Sequence, residues 1–162
     1  MISRIIFLLI ITQVLACHKN SPLSPEPLQL AELPYVRVST LNYNRSEIYS
    51  RVPDTIYWNK CNLAYKYAVT DSLKRYMADV FLQKARWLAQ ETPLASECLN
   101  ATGQLKQGVV SLLYFAERAQ YESKESWIFE FSWGDDLNGI GHYRCFVMDT
   151  STRDTLLFVT CR

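Results

Sequence analysis

Three acidic residues near the C-terminal end are the first candidates for chemistry. Glu130 is followed closely by Asp135 and Asp136. Many glycosidases use two carboxyl groups, one as the general acid and the other as nucleophile or base. A hydrolase that uses Glu130, Asp135 or Asp136 is therefore one hypothesis for this chain. Glu130, however, alternates with aromatic residues in the sequence, which favours a solvent-facing position on a strand.

The same segment is rich in the oxygen-bearing residues that calcium prefers. Asp135, Asp136 and Asn138 stand directly before Gly139, as they would in a calcium loop. The twelve-residue EF-hand pattern nevertheless fails, because a loop that starts at Gly134 lacks an acid at its first position and has Cys145 at its last. We interpret the segment as a hairpin loop and expect no metal and no cofactor.

Nucleophilic catalysis lacks the usual partners in this sequence. A serine or cysteine nucleophile needs a nearby base, and His142 is the only histidine after His18. There is no Gly-x-Ser-x-Gly motif, and the sole close glycine pair, Gly139-Ile140-Gly141, precedes a predicted strand instead of a phosphate-binding helix. We assign no catalytic residue.

Four cysteines follow the N-terminal region: Cys61, Cys98, Cys145 and Cys161. An even number of cysteines in an exported chain predicts two disulfides, and four cysteines allow three connectivities. Cys61 and Cys98 flank the clearest helix, whereas Cys145 and Cys161 lie on the two arms of a predicted hairpin, so we favour these two pairs. Zinc is the competing hypothesis, but no Cys-x-x-Cys pair supports it.

An aromatic row marks the clearest strand. Trp127, Phe129, Phe131 and Trp133 alternate with Ile128, Glu130 and Ser132, so their rings share one face. If this face packs on a helix, the row is core, which is the interpretation we favour. If the helix covers the opposite face, the row becomes a candidate binding face for a sugar or an apolar partner.

One helix is strongly predicted before that strand. From Asp71 to Gln90, apolar residues recur at helical spacing, Thr70 to Ser72 offer capping oxygens, and Thr92-Pro93 ends the pattern. We expect its Trp and Phe residues to be core contacts. The apolar set is Leu73, Met77, Val80, Phe81, Trp87 and Leu88.

Short strands are predicted on both sides of this helix. They cover 35–40 and 55–58 before it, and 143–147 and 155–160 near the C-terminus. Residues 109–116 fit either a helix or a strand, and their β-favouring residues favour a strand. The expected fold class is α+β, with one main helix packed on a mostly antiparallel meander sheet.

The N-terminal segment has the features of an export signal. Arg4 precedes an apolar run from Ile5 to Ile11, which is too short to span a membrane. The run leads to Val14-Leu15-Ala16-Cys17, which resembles the lipobox of bacterial lipoprotein precursors. The resemblance covers only about the first 17 residues, and it implies a diacylglycerol on the Cys17 thiol, cleavage after Ala16 and a palmitate-type anchor. In a Gram-negative cell, His18 instead of Asp after Cys17 further implies the outer membrane.

A polar segment with three prolines, Pro22, Pro25 and Pro27, follows Cys17. Proline blocks both helix and sheet pairing, so we expect a semi-rigid tether. The predicted organisation is a signal peptide over 1–16, a tether over 17–34 and a single domain over 35–162.

Composition limits the choice of partners. The chain has 17 Lys and Arg against 16 Asp and Glu, and this balance disfavours nucleic acid. We expect a lipid-anchored protein of the cell envelope with a non-enzymatic binding or accessory role, whose partner is an unidentified protein, glycan or small ligand. The alternatives are the hydrolase above and a soluble secreted glycoprotein with sequons at Asn44 and Asn100.

Overall fold

The computed structural model describes residues 33–51 and 55–161. Five strands form one sheet in the order β1-β2-β3-β4-β5. The strands are β1 Tyr35–Tyr43, β2 Ser111–Tyr121, β3 Lys124–Asp135, β4 Gly139–Asp149 and β5 Thr155–Cys161. Strands β2 to β5 form an antiparallel meander, whereas β1 pairs parallel with β2. The predicted α+β class with a mostly antiparallel sheet is therefore confirmed.

Four helices in the described chain connect β1 to β2: α1 Arg45–Ser50, α2 Thr55–Tyr65, α3 Asp71–Ala89 and α4 Pro93–Ala101. Helix α3 matches the predicted main helix. Its N-cap is Thr70, whose hydroxyl accepts from the Leu73 amide, and Gln90 ends it in the left-handed conformation. The prediction of a single main helix holds only in part, because Thr92-Pro93 starts α4 as well as ending α3.

Residues 55–58 are helical, so the short strand predicted there is wrong. Tyr57 and Trp58 favour strands locally, but Cys61 and Tyr65 bury their side chains one helical turn apart. The packing of that face decides the structure, since local propensity is a weak constraint. Residues 109–116, which the sequence left ambiguous, lead into and belong to strand β2.

Helices cover both faces of the sheet, so the core has two parts. One face packs against α3 and α4 and contains Phe81 together with the aromatic row of β3. The other packs against α1 and α2 and contains Ile48, Cys61 and Cys145. Leu33 is buried in this second part, so the packed chain begins before residue 35.

The predicted signal peptide, Cys17 and residues 17–32 of the tether lie outside the described residues. Within those described, no helix combines the length and the apolar character that a membrane span requires.

Candidate functional site

The α1/α2 face of the sheet carries a group of charged side chains, which we call the arginine–glutamate cluster: Arg37, Arg51, Glu117 and Glu130. The Arg51 guanidinium lies between the two acids, with Nη1 2.9 Å from Glu117 Oε2 and Nε 2.7 Å from Glu130 Oε1. Both carboxylates are fully buried. An unpaired charge would be very unfavourable there, and Arg51 supplies a positive charge to both buried side chains.

Strand pairing places these acids together. Glu117 lies opposite Ile128, and Glu130 lies opposite Phe115, so the two glutamates are diagonal neighbours on one face. A bulge between Leu113 and Phe115 turns Tyr114 to that face as well. The Tyr114 hydroxyl donates to Glu130 Oε2 at 2.9 Å.

Strand β1 completes the coordination of Glu117. Arg37 lies opposite Glu117 in the parallel register, and its Nε and Nη2 are each 3.0 Å from a carboxylate oxygen. Ser39 donates to Oε1 at 2.8 Å and Tyr43 at 3.2 Å. Glu117 therefore accepts hydrogen bonds on both carboxylate oxygens. The guanidinium groups of Arg37 and Arg51 also lie over the Phe115 ring.

This environment fixes the charge of Glu117. Burial raises the pKa of the Glu117 carboxyl, but hydrogen bonds from Arg37 and Ser39 and the charge of Arg51 outweigh burial, so the net pKa lies below its ordinary value. For Arg51, burial lowers the pKa, and the charges of Glu130 and Glu117 more than reverse this. The group is a compensated ion network that anchors the end of α1 to the sheet.

The thiol and phenols around this network are not poised to react. Burial, followed by the charge of Glu130, raises the pKa of the Cys145 thiol to about 12. The pKa values of Tyr114 and Tyr143 also rise, chiefly by burial. A nucleophile needs the opposite shift, so the cluster supplies structure and not an activated base or thiol.

The candidate hydrolytic acids are divided between two environments. Glu130 is buried against Arg51 and Tyr114, so the solvent-facing position expected for it is wrong. Asp135 is exposed in the β3–β4 turn, where it accepts from the Leu137 and Asn138 amides and from the Asn138 side chain. Those hydrogen bonds lower the pKa of the Asp135 carboxyl, and the bond from the Asn138 side chain has the largest effect. Asp136 lies in the same exposed turn, so Glu130 forms no pair with either aspartate.

The β3–β4 loop is a turn that Asp135 holds closed. Gly139 has a positive φ of 70°, which glycine tolerates at little cost, and its backbone lies against the Lys66 carbonyl. Over residues 33–51 and 55–161, no three His, Cys, Asp or Glu residues are grouped to hold a metal ion.

The aromatic row is core for three of its four members. Trp127, Phe129 and Phe131 are fully buried, and Phe81 from α3 packs edge-on against Trp127 and Phe129 at 5.2 and 5.4 Å. The favoured interpretation of the row as core holds for these three, and the alternative of an exposed binding face at them is wrong. Trp133, at the end of the row, is partly exposed and is covered by the Arg144 guanidinium at 3.8 Å.

Helix α3 shows one further error of the sequence interpretation. Phe81 is core as expected, but Trp87 is 85% exposed and Leu88 is 52% exposed. Lys74, a charged residue on the same helix, is buried. Its Nζ donates to the carbonyls of Lys106 and Val109 and pairs with Asp71 at 2.7 Å.

Neither predicted disulfide is formed in the structure, where all four cysteines are thiols. Cys61 and Cys98 lie in core parts on opposite faces of the sheet. In the hairpin, Cys145 lies opposite Val159 and Cys161 lies opposite Tyr143. Diagonal neighbours of this kind are about 7–8 Å apart, beyond the Cα separation that a disulfide normally spans.

A surface groove lies beside an irregularity in β1. The register shifts between Val38 and Asn42, so residues 39–41 bulge from the sheet, and bulges often adjoin functional sites. The groove has a volume of about 370 Å³, at the small end for ligand pockets. Its wall includes Val38, Ser39, Thr40, Leu88, Glu91, Arg118, Gln120 and Glu125.

The charged wall of this groove is preorganised. Arg118 Nε and Nη2 bind the two Glu91 oxygens at 3.1 and 3.2 Å, and Nη1 lies 2.6 Å from Glu125. Because Arg118 is paired with two acids, the groove presents carboxylate oxygens and the Thr40 side chain to a ligand instead of an unpaired arginine.

Sequence reasoning missed Arg51, Glu117 and the groove. A single acid within the hydrophobic run of β2 was the available signal for Glu117, because a buried strand rarely carries an unpaired charge. Its partner could not be identified without the register and the position of α1.

No protein-family model, curated protein or solved structure matches this chain.

Proposed function

We propose that this protein is a lipid-anchored protein of the cell envelope with a non-enzymatic binding role, tethered through Cys17. The lipobox-like Val14-Leu15-Ala16-Cys17 and the proline-containing segment after it support the anchor. The groove beside the β1 bulge supports the binding role and is the observation that carries it.

The chemistry of the groove favours a polar, uncharged ligand. Its wall includes Thr40, the carboxylates of Glu91 and Glu125, and Gln120, whose amide nitrogen donates to Glu125 at 3.0 Å. Donors on a neutral ligand would satisfy the carboxylates, whereas an anion would meet two acids whose cation is already paired. A glycan or a polar small molecule fits this description.

The hydrolase alternative has less support. Glu130 is held by Arg51 and Tyr114 in the interior, while Asp135 holds the β3–β4 turn. Two catalytic carboxyls must instead flank one bond of the substrate.

Fatty-acid labelling tests the anchor. In the source cell, the tagged wild-type chain should take up labelled palmitate and fractionate with membranes, whereas Cys17→Ser should do neither. An unmodified Cys17 in the intact mass of the mature wild type would refute the anchor. A glycosidase-sensitive mass on Asn44 or Asn100 would instead support the secreted glycoprotein.

Complementation of a deletion strain tests the binding site. Thr40→Trp would fill the groove from an exposed position, and Ser72→Trp places the same residue on an exposed position at the start of α3. We expect Thr40→Trp to lose complementation and Ser72→Trp to retain it, with both variants folded by circular dichroism. The double variant Asp135→Asn with Asp136→Asn should complement as wild type, and loss there would favour the hydrolase.

A further inference from the structure

Arg144 differs from the other half-buried arginines of the described chain, because it has no acidic partner there. Arg37, Arg51 and Arg118 each lie within 3.1 Å of a carboxylate oxygen. Arg144 is also half-buried, yet its only hydrogen bond to a side chain is to a neutral amide. Burial lowers the pKa of its guanidinium, and no acid opposes this effect. A partly buried cation without a counter-charge is unfavourable.

The side chains that share a sheet face with Arg144 include no acid. Arg144 lies opposite Phe131 of β3 and Thr160 of β5. Opposite residues, and residues two apart on one strand, point to the same face. Four of the six neighbours found in this way are Phe or Trp, so the cation lies on a largely aromatic surface. The six are Phe131, Trp133, His142, Phe146, Phe158 and Thr160.

The guanidinium of Arg144 is held in one position. It lies over the Trp133 ring, 3.8 Å from the centroid, and its Nη1 donates to Gln104 Oε1 at 3.0 Å. Both supports are fixed in turn. Trp133 Nε1 donates to the Tyr143 carbonyl at 3.2 Å, and Gln104 Nε2 donates to the Thr102 carbonyl at 3.3 Å. A donor that is already ordered loses little conformational entropy when a ligand binds.

Two nitrogens of this guanidinium remain without an acceptor among the described residues. Nε is buried without a hydrogen-bond partner, and Nη2 makes no hydrogen bond, since Nη1 makes the one to Gln104. In Arg118 the same two nitrogens hold the two oxygens of Glu91. A carboxylate from outside the chain would supply Arg144 with the acceptor and the charge that it lacks.

We propose that Trp133, Arg144 and Phe158 form a binding site, the Arg144 site, for an organic acid that carries an aromatic ring. The carboxylate of the ligand accepts from the guanidinium, and its ring packs against Phe158. Phe158 is 44% exposed and is a diagonal neighbour of Arg144, about 7–8 Å away between Cα atoms. One ring attached to a carboxylate can bridge that distance.

The aromatic surroundings favour such an acid over an inorganic anion. Phe131 and Phe146 meet edge-on with ring centroids 5.9 Å apart, and Phe146 contacts Phe158 at 4.7 Å. A ligand ring on Phe158 continues this series of contacts and gains from ring packing, whereas phosphate satisfies the cation alone. The groove beside β1 is a separate site, because its wall includes no residue of the Arg144 site.

Nuclear magnetic resonance of the isotope-labelled full chain in mild detergent tests the site, with benzoate as the probe. Benzoate should shift the Trp133 indole N–H signal, identified by its loss in Trp133→Phe, saturably at about millimolar concentration. The indole of Trp87, which is 85% exposed on α3, is the internal control and should not shift. Benzamide has the same ring without the charge and should bind at least about tenfold more weakly. Equal affinities for the two probes, or no saturable shift with benzoate, would overturn the proposal.

Two variants separate the contributions of charge and ring. Arg144→Gln should weaken benzoate binding at least about tenfold, whereas Arg75→Gln, at an exposed position on α3, is the matched control and should bind as wild type. Phe158→Ala should weaken benzoate binding and leave the weaker binding of acetate unchanged, because acetate has no ring.

Circular dichroism checks that the variants are folded. Unchanged benzoate binding in folded Arg144→Gln would refute the site, and acetate that binds wild type as tightly as benzoate would refute the preference for a ring. If Arg144→Gln does not fold, the comparison of benzoate with benzamide on the wild type still decides.

Discussion

Arg51 Nε lies 2.7 Å from Glu130 Oε1 in the interior of the domain, and this contact joins the end of α1 to the middle of the sheet. Glu130 looked like a surface acid in the sequence, available for catalysis. Its burial against an arginine from a distant element makes it a structural residue instead, and the first prediction follows from that pairing.

Arg51→Met should destabilise the fold by about 3–5 kcal/mol, because it leaves buried carboxylates with one cation fewer. Arg37→Met is the matched control. The side chain of Arg37 is 41% exposed and contacts only one of the two acids, so its loss should cost clearly less. Urea unfolding measures both, and equal costs would show that Arg51 does not hold the cluster.

The ionisation of Glu117 predicts a pH dependence. Burial raises its pKa, yet hydrogen bonds from Arg37 and Ser39 bring the folded value below the ordinary 4.5. The carboxylate therefore contributes stability that is complete above the unfolded pKa and is lost as the pH falls through the folded pKa. Wild type should exceed Glu117→Gln in stability at pH 7, and the gap should narrow below about pH 4.5.

Urea unfolding between pH 3 and pH 7 measures this gap. Glu122→Gln, on an exposed turn residue, is the control for the general effect of removing a carboxylate. A gap that stays constant down to pH 3 would mean that folding does not shift the pKa of Glu117, and a gap that grows as the pH falls would mean that the carboxyl is protonated in the folded state.

Gly139→Ala should destabilise the protein by more than about 1 kcal/mol. Gly139 has a positive φ, and a Cβ there would collide with the Lys66 carbonyl, which also accepts from the Ile140 amide. Gly141→Ala is the control two residues away, where a Cβ meets nothing. Thermal unfolding should separate the two variants, and similar melting temperatures would contradict the close approach of α2 to the β3–β4 turn.

Phe81→Ala and Trp87→Ala should differ strongly although both residues lie on α3. Phe81 is fully buried against Trp127 and Phe129, so its truncation should cost about 3–5 kcal/mol. Trp87 is almost fully exposed, and its truncation should change stability by no more than about 0.5 kcal/mol. Chemical denaturation provides the measurement; a large loss for Trp87→Ala would show that something covers it.

Thiol counting in a Cys17→Ser background tests the cysteines. In the folded protein, exposed Cys161 should react readily with a thiol reagent. Cys61, Cys98 and Cys145 should be protected, since each is buried and burial raises their pKa values to about 12, 11 and 12. Denaturation without reductant should make all four thiols reactive. A count of zero reactive thiols in the denatured protein would instead support the two predicted disulfides.

The sequence by itself determined the elements whose pattern is local. The helical spacing and caps of α3, the alternation in β3 and the turn residues between β4 and β5 each depend on neighbours along the chain, so they could be predicted. The export signal and Cys17 are also local patterns, and they remain a prediction. The strand predicted at 55–58 was wrong because the local β propensity of these residues disagrees with the helical packing of α2 against the sheet.

Tertiary structure decided everything that depends on which surfaces meet. Alternation shows that Glu130 and Phe129 point to opposite faces, but it does not show that helices cover both faces, so only the fold reveals that Glu130 is buried. The same holds for Glu117 and Arg51, whose pairing requires the β2–β3 register and the position of α1 together. The groove and the position of β5 at the end of the sheet depend on strand order, which no short stretch of sequence encodes.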